Sequence, residues 1–247
     1  MNISRWVTTI IRFLFIALVI VFFVWAFRNG YFGKIFNQPD KFLLLLKQHL
    51  KIVGLSSFIA IVMALLVGIL VTRKTFRRIQ WPFMFLANLG QTLPSLAVLA
   101  LAMGYLGLGF KPAVFALFIY SVLPILRNTV AGIDSISNDL IDSAKGMGMK
   151  PHQILFRIEL PNAAYSIMAG IRTSVVINIG TAALAFLIGA GGLGNWINTG
   201  ISLVDNSYLL SGAVPLTLLA LAVDFLFRLA ERIVVPKSLR KSITDAS

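Results

Sequence analysis

Gly189-x-Gly191-x-x-Gly194 has the spacing of a dinucleotide-binding turn, in which glycines let the backbone close on a pyrophosphate. That chemistry needs a strand before the turn and a βαβ unit around it. Here a long apolar stretch precedes the glycines, so they read as a flexible or tight break at the outer end of that stretch and a candidate gate element. No G-x-x-x-x-G-K-[ST] occurs, so the chain does not itself hold ATP by a P-loop. His49 and His152 lack ligand-spaced companions and a credible nucleophile, which leaves neither a metal site nor a Ser/His/Asp set. The absence of Cys removes thiolate ligands, a cysteine nucleophile and disulfides. No cofactor and no enzymatic chemistry are expected. What stays are polar groups in apolar surroundings: Gln91, Thr92 and Pro94; Asn178 and Thr181; Arg172 and Asp224.

The elements that carry these groups follow from composition. Of 247 residues 58% are hydrophobic and 13% charged, against roughly 25% charged in a soluble domain. So much apolar surface exceeds what one water-soluble core of this size buries, and a bilayer is the second apolar solvent. The net charge of +13 then places cations at cytoplasmic membrane ends rather than on nucleic acid. A bilayer core of about 30 Å needs about 20 apolar residues in a helix. Six stretches qualify: 10–27, 53–71, 81–105, 113–126, 163–189 and 208–227. The first lacks a small-x-small cleavage site, since Val24-Trp25-Ala26-Phe27 is bulky, and reads as an uncleaved anchor. Arg and Lys are denser on the side holding Arg73-Lys74, Arg77-Arg78 and 127–157 than on the side holding Arg28 to Lys51. This places both termini in the cytoplasm. The expected architecture is all-α and polytopic.

Pro94 removes a backbone donor mid-span, and with Gln91 and Thr92 it either bonds between helices or lines a pathway. Asn178 and Thr181 pose the same choice. Arg172 lies about 16 Å along its helix beyond Pro161, where a charge is expensive unless paired. Asp224 is the natural partner if the fifth and sixth spans pack together, as a structural clamp; otherwise it pairs with Arg228 at i,i+4.

The cytoplasmic stretch from Arg127 to Pro161, about 35 residues, is too long for a structureless loop. Ser137 and Asn138 can cap a helix, with Asp139 in its first turn and Leu140, Ile141 and Ala144 on one face. Gly146 and Gly148 end it, Pro151 opens a second helix, and Pro161 breaks the chain before the fifth span. A helix–turn–helix between two spans is either a docking element or a segment lying on lipid. Acids that match bases in number, and a Gly-rich corner, favour docking.

The run Asp142-Ser143-Ala144-Lys145-Gly146, continuing to Ile158-Glu159-Leu160-Pro161, resembles the Glu-Ala-Ala…Gly…Ile-x-Leu-Pro motif of membrane subunits of binding-protein-dependent ABC importers. Asp142 stands for Glu and Ser143 for Ala. Gly90-Gln91-Thr92-Leu93-Pro94-Ser95, Ala144 to Met149, Gly170 to Ser174, Asn178 to Thr181 and Gly189 to Gly194 are similar to the glycine betaine/choline-type osmoprotectant branch. The resemblance spans residues 50–230. It implies the type I, methionine-permease-like architecture in a bacterial inner (plasma) membrane. An anchor and outer loop fill 1–49, the transmembrane domain 50–232 with coupling helices over 134–161, and a basic tail 233–247. It further implies two cytoplasmic ABC ATPases, a second permease subunit (identical or related) and a soluble or lipid-anchored solute-binding protein, with lipid around and no nucleic acid. Asp142, Ser143, Ala144, Lys145, Gly146, Met147, Gly148 and Met149 would be the coupling contacts, and Leu160-Pro161 the motif end. Methionine is the alternative kind of solute. A secondary transporter would call for inverted repeats and midplane carboxylates, and only Asp224 is available.

Overall fold

The computed structural model describes residues 3–235, without the side chains of residues 3–5 and Gln91. The basic tail from residue 236 onward, with Lys237, Arg240 and Lys241, lies outside the described residues. Among the described residues all regular structure is helical: α1 (Ile3–Arg28), α2 (Gly33–Asn37), α3 (Pro39–Val71), α4 (Gln80–Thr92), α5 (Ser95–Leu106), α6 (Phe110–Asp134), α7 (Asn138–Gly146), α8 (Pro151–Ile154), α9 (Leu160–Thr181), α10 (Gly194–Leu203) and α11 (Asn206–Val234).

Five of the described helical segments are long and apolar enough to cross a membrane: Trp6–Arg28, Pro39–Val71, Phe110–Asp134, Pro151–Ile188 and Asn206–Val234. The stretch 81–105 is instead two shorter helices, α4 of 13 residues and α5 of 12. They part at Leu93, whose extended backbone (φ −71°, ψ 138°) is the conformation that a following proline imposes. Tyr120 on α6 donates its hydroxyl hydrogen bond to the Leu93 carbonyl, so the break is held by a neighbouring helix.

The second span begins earlier than its apolar run. Pro39 opens α3, and Lys41, Lys47 and Lys51 ride on the same 33-residue helix, which is long enough to stand clear of the hydrocarbon at one end. The connection between α6 and α9 is also tighter than expected. Helix α6 runs through Arg127 to Asp134, and Pro161 does not break the chain. A π-helical turn over Leu155–Glu159 joins α8 to α9, and the proline sits in the first turn of α9. The wide turn absorbs the donor that proline lacks. Asn162 Nδ2 caps the Ile158 carbonyl at 2.7 Å.

Helices α3, α6 and α9 form the core, with Ile52, Ala60, Leu117, Ile125, Leu126 and Ile179 buried between them. Small residues set the approach. A Cβ on Gly68 would meet Thr129 Cγ2 at 2.8 Å, one on Gly132 would meet Ser166 Cβ at 2.8 Å, and one on Gly170 would meet Asn128 Cβ at 2.6 Å. Lipid tails are as apolar as leucine, so close backbone contact of this kind, rather than hydrophobicity, holds such helices together. Helices α4 and α5 lie on α6, α11 lies on α9, and α10 packs on α11. Helix α1 presents Phe13, Leu14, Phe15, Leu18 and Val21 outward, the surface of a lipid-facing helix.

Candidate coupling site and translocation elements

The segment 135–161 folds back on the ends of α6 and α9. Ser137, in an extended conformation, precedes α7 without a side-chain cap bond. Ala144 is buried, and Gly148 takes φ +76°, turning the chain toward Pro151. The Lys150 N–H donates to Gln153 Oε1 at 2.8 Å, closing the start of α8. Asp142 accepts a hydrogen bond from Lys145 one turn on. That bond and the lysine charge, reinforced by Lys74, hold its carboxyl below the usual carboxylate range. The two sides of α7 differ. Asn138, Ile141 and Lys145 face a cleft of about 800 Å³. On the other side Met147 is 74% exposed, and outside its own helix nothing lies within 4 Å of a Cβ built on Gly146.

Ion pairs tie this corner to the loop after α3. Arg73 Nη1 lies 2.6 Å from Glu159 Oε2. Arg77 lies 3.9 Å from Asp134, which also accepts from Gln80 Nε2 at 3.1 Å. Glu159 is the variable position of the Ile-x-Leu-Pro end, so its role needs the distant Arg73 to be visible. Leu160 and Pro161 are half-buried in the first turn of α9.

Further along α9, Arg172 Nε lies 3.6 Å from Asp224 Oδ1 and Nη1 lies 3.5 Å from Glu231 Oε2, both on α11. Asp224 is held as well by Arg228 Nε at 2.7 Å. The two pairings weighed for Asp224 therefore coexist. Glu231 was missed by sequence reasoning because it falls beyond the apolar run, although it sits two helical turns from Asp224 on the same face.

The other polar candidates separate. Asn178 is buried, and its Nδ2 donates to Ser56 Oγ at 2.8 Å and Ser57 Oγ at 2.7 Å across the α3–α9 seam. Thr92 and Thr181 bond backward, to the carbonyls of Leu89 (2.9 Å) and Ile177 (3.0 Å), and Thr92 and Pro94 are exposed. The Gln91 side chain is outside the described residues. At the opposite end from α7, Gly189, Gly191 and Gly192 all take positive φ. Gly192 N–H donates to Gln48 Oε1 at 3.1 Å, and His49 Nε2 lies 3.1 Å from the Ile179 carbonyl. The third turn of α3 thus holds the glycine loop through Gln48 and the end of α9 through His49. Among the described residues no three of His, Asp and Glu converge to hold a metal ion.

The family described as binding-protein-dependent transport system inner membrane component matches residues 64–239. The chain belongs to this family. It is 43% identical over 194 residues to the choline transport system permease protein OpuBB of Bacillus subtilis, covering 78% of this chain and 88% of that protein. It is 44% identical over 211 residues to the osmoprotectant import permease protein OsmY of Salmonella typhimurium, covering 85% and 88%. In fold it is similar to the inward-facing MetNI methionine ABC transporter, with a TM-score of 0.67, 23% identity and coverage of 81% of this chain and 99% of that one. It is also similar to a bacterial alginate ABC transporter in complex with its periplasmic protein, with a TM-score of 0.66, 18% identity and 94% coverage of each. This permease-family chain is an all-α integral inner membrane protein and a transport component.

Proposed function

We propose that this permease-family chain forms half of the pathway of an ATP-driven importer for a quaternary-ammonium osmoprotectant such as glycine betaine or choline. The observation that carries the coupling role is the bare side of α7. A short helix fixed between two spans exposes Met147 and an open glycine, Gly146, the surface that a separate ATPase would fill. Within the segment Asp142 to Met149 the outward side makes that contact, while Ala144 is buried and Lys145 and Met149 line the cleft behind it, and the rigid joint from α8 through the π turn into α9 carries its movement to the spans. The substrate class rests on the relatives' names, choline for one and osmoprotectant for the other.

The full assembly has two such membrane subunits, identical or related, two cytoplasmic ATPases, and a soluble or lipid-anchored binding protein outside. ATP hydrolysis belongs to the ATPases and none to this chain. Both termini face the cytoplasm with α7, with α4 and α5 together making the sixth crossing beside the five long helices. Residues 1–49 act as anchor and outer loop, 50–232 as the transport domain, and 233–247 as a basic tail. Exposed Thr92 and Pro94, with Gln91 and Thr181, line the pathway, whereas Asn178 fastens α3 to α9. Arg172, Asp224 and Glu231 clamp α9 to α11.

Co-purification in mild detergent tests the reading. The wild-type complex brings down an ATPase subunit. Gly146→Asp, which has room to fold, loses the ATPase and ATP-driven choline or glycine betaine uptake. Retention of both would refute the coupling role. An uptake panel in which methionine competes and choline does not would reassign the solute.

A further inference from the structure

The cleft between the loop after α3 and the inner side of α7 is not used by the function above. Its volume is about 800 Å³, and its lining includes Arg73, Lys74, Arg77 and Lys145 against Asp134 and Glu159. The two carboxylates are already engaged, by Arg73 at 2.6 Å and by Arg77 with Gln80. Lys145 is itself paired with Asp142 on α7, so the surplus positive charge of the cleft is carried by Lys74. Lys74 makes no ion pair within 4 Å among the described residues, and it is exposed.

The level of the cleft is set by its neighbours. Phe76, Ile79 and Trp81 are exposed immediately beside the basic run, and Trp81 stacks on Phe85 at 5.3 Å. Exposed aromatic rings next to cations at the end of a span mark the membrane–water interface. A positive cleft at that depth faces headgroup phosphates, and basic side chains there attract anionic lipid.

We propose that this cleft binds a phosphate group, presented by an anionic phospholipid headgroup or by free phosphate, between Lys74 on the loop after α3 and Lys145 on α7. The occupant touches α7 on the side opposite Gly146 and Met147. It would steady the coupling helix from the membrane while a partner engages it from the cytoplasm. The inference rests on the membrane reading above, but it requires neither the ATPase assignment nor the substrate, and binding is measured without either.

The purified full chain is placed in nanodiscs of phosphatidylcholine with phosphatidylglycerol, and retained lipid is counted by native mass spectrometry. Phosphatidylglycerol is expected to be retained over phosphatidylcholine. Lys74→Gln should weaken that retention about fivefold, the equivalent of about 1 kcal/mol per basic residue at a charged surface. Lys74→Arg should restore it. Lys111→Gln, a cation at the far end of α6, should leave it unchanged and controls for diffuse charge. Inorganic phosphate that competes identifies the free anion as a ligand; failure to compete assigns the site to lipid alone. Equal retention of the two lipids without phosphate binding would overturn the proposal. So would equal losses for Lys74→Gln and Lys111→Gln.

Discussion

Replacing Arg172 by Met strands two carboxylates unequally. Asp224 keeps Arg228 at 2.7 Å, whereas Glu231 has no other ion pair within 4 Å among the described residues. At the 3.5 Å of the Arg172–Glu231 contact, an effective dielectric near 20 gives about 5 kcal/mol of attraction. Arg172 is 25% exposed and Glu231 18%, so screening reduces the loss to about 2–3 kcal/mol, between the values for exposed and buried pairs. Asp224→Asn should cost about 1 kcal/mol, because Arg172 keeps Glu231 and Arg228 reaches the interface. In a double-mutant cycle, Arg172→Met combined with Glu231→Gln should cost less than the two single changes together, by about 2 kcal/mol. Equilibrium unfolding by SDS titration in mixed micelles supplies all the numbers. Arg172→Met no costlier than Asp224→Asn, or a strictly additive cycle, would refute the clamp.

Three further outcomes follow from other contacts. Gly170→Val forces side-chain atoms into a space where even a Cβ would lie 2.6 Å from Asn128 Cβ; the α6–α9 packing should lose about 1–3 kcal/mol, read as a lower SDS midpoint, while Gly146→Val leaves that midpoint unchanged. Asn178→Ala removes the bonds to Ser56 and Ser57 and should cost about 0.6–1.7 kcal/mol in the same titration. Asp205 accepts the Ser207 N–H at 2.7 Å at the start of α11, and that bond holds its carboxyl below the usual range. A carboxyl lowered by folding stabilises fully above its unfolded value of about 3.9 and loses that stabilisation as pH falls through its folded value. Asp205→Asn should therefore flatten the acid limb of the midpoint–pH curve and leave its slope near neutral pH unchanged.

The sequence reveals much of this molecule because lipid imposes a coarse code. Length and hydropathy identify five of the six expected stretches as continuous spanning helices, and Ser137, Gly148 and Pro151 mark the corner of α7 and α8. What escapes depends on partners far along the chain. Pro94 signals a disturbance, but only Tyr120 shows the break as two separately seated helices. Pro161 reads as a stop, and only the π turn before it shows how a helix passes through. Helix α10, built around buried Trp196 and the glycine contacts at Gly194 and Gly200, falls between apolar runs and leaves no hydropathy signal. Asn178 could be read as pathway or seam, and the α3 serines are what distinguish the two positions. Glu231 and Glu159 look like ordinary interfacial acids until Arg172 and Arg73 are beside them.

If α7 projects into the cytoplasm and is covered there by an ATPase, a reporter placed on it is reachable from one side of the membrane and shielded by the partner. The chain has no Cys, so Gly146→Cys introduces a single reporter into open space. A membrane-impermeant maleimide should fail to label it in intact cells, should label it in inverted vesicles, and should lose access when the partner ATPase is bound. Labelling from outside intact cells, or undiminished labelling with the ATPase present, would contradict the account.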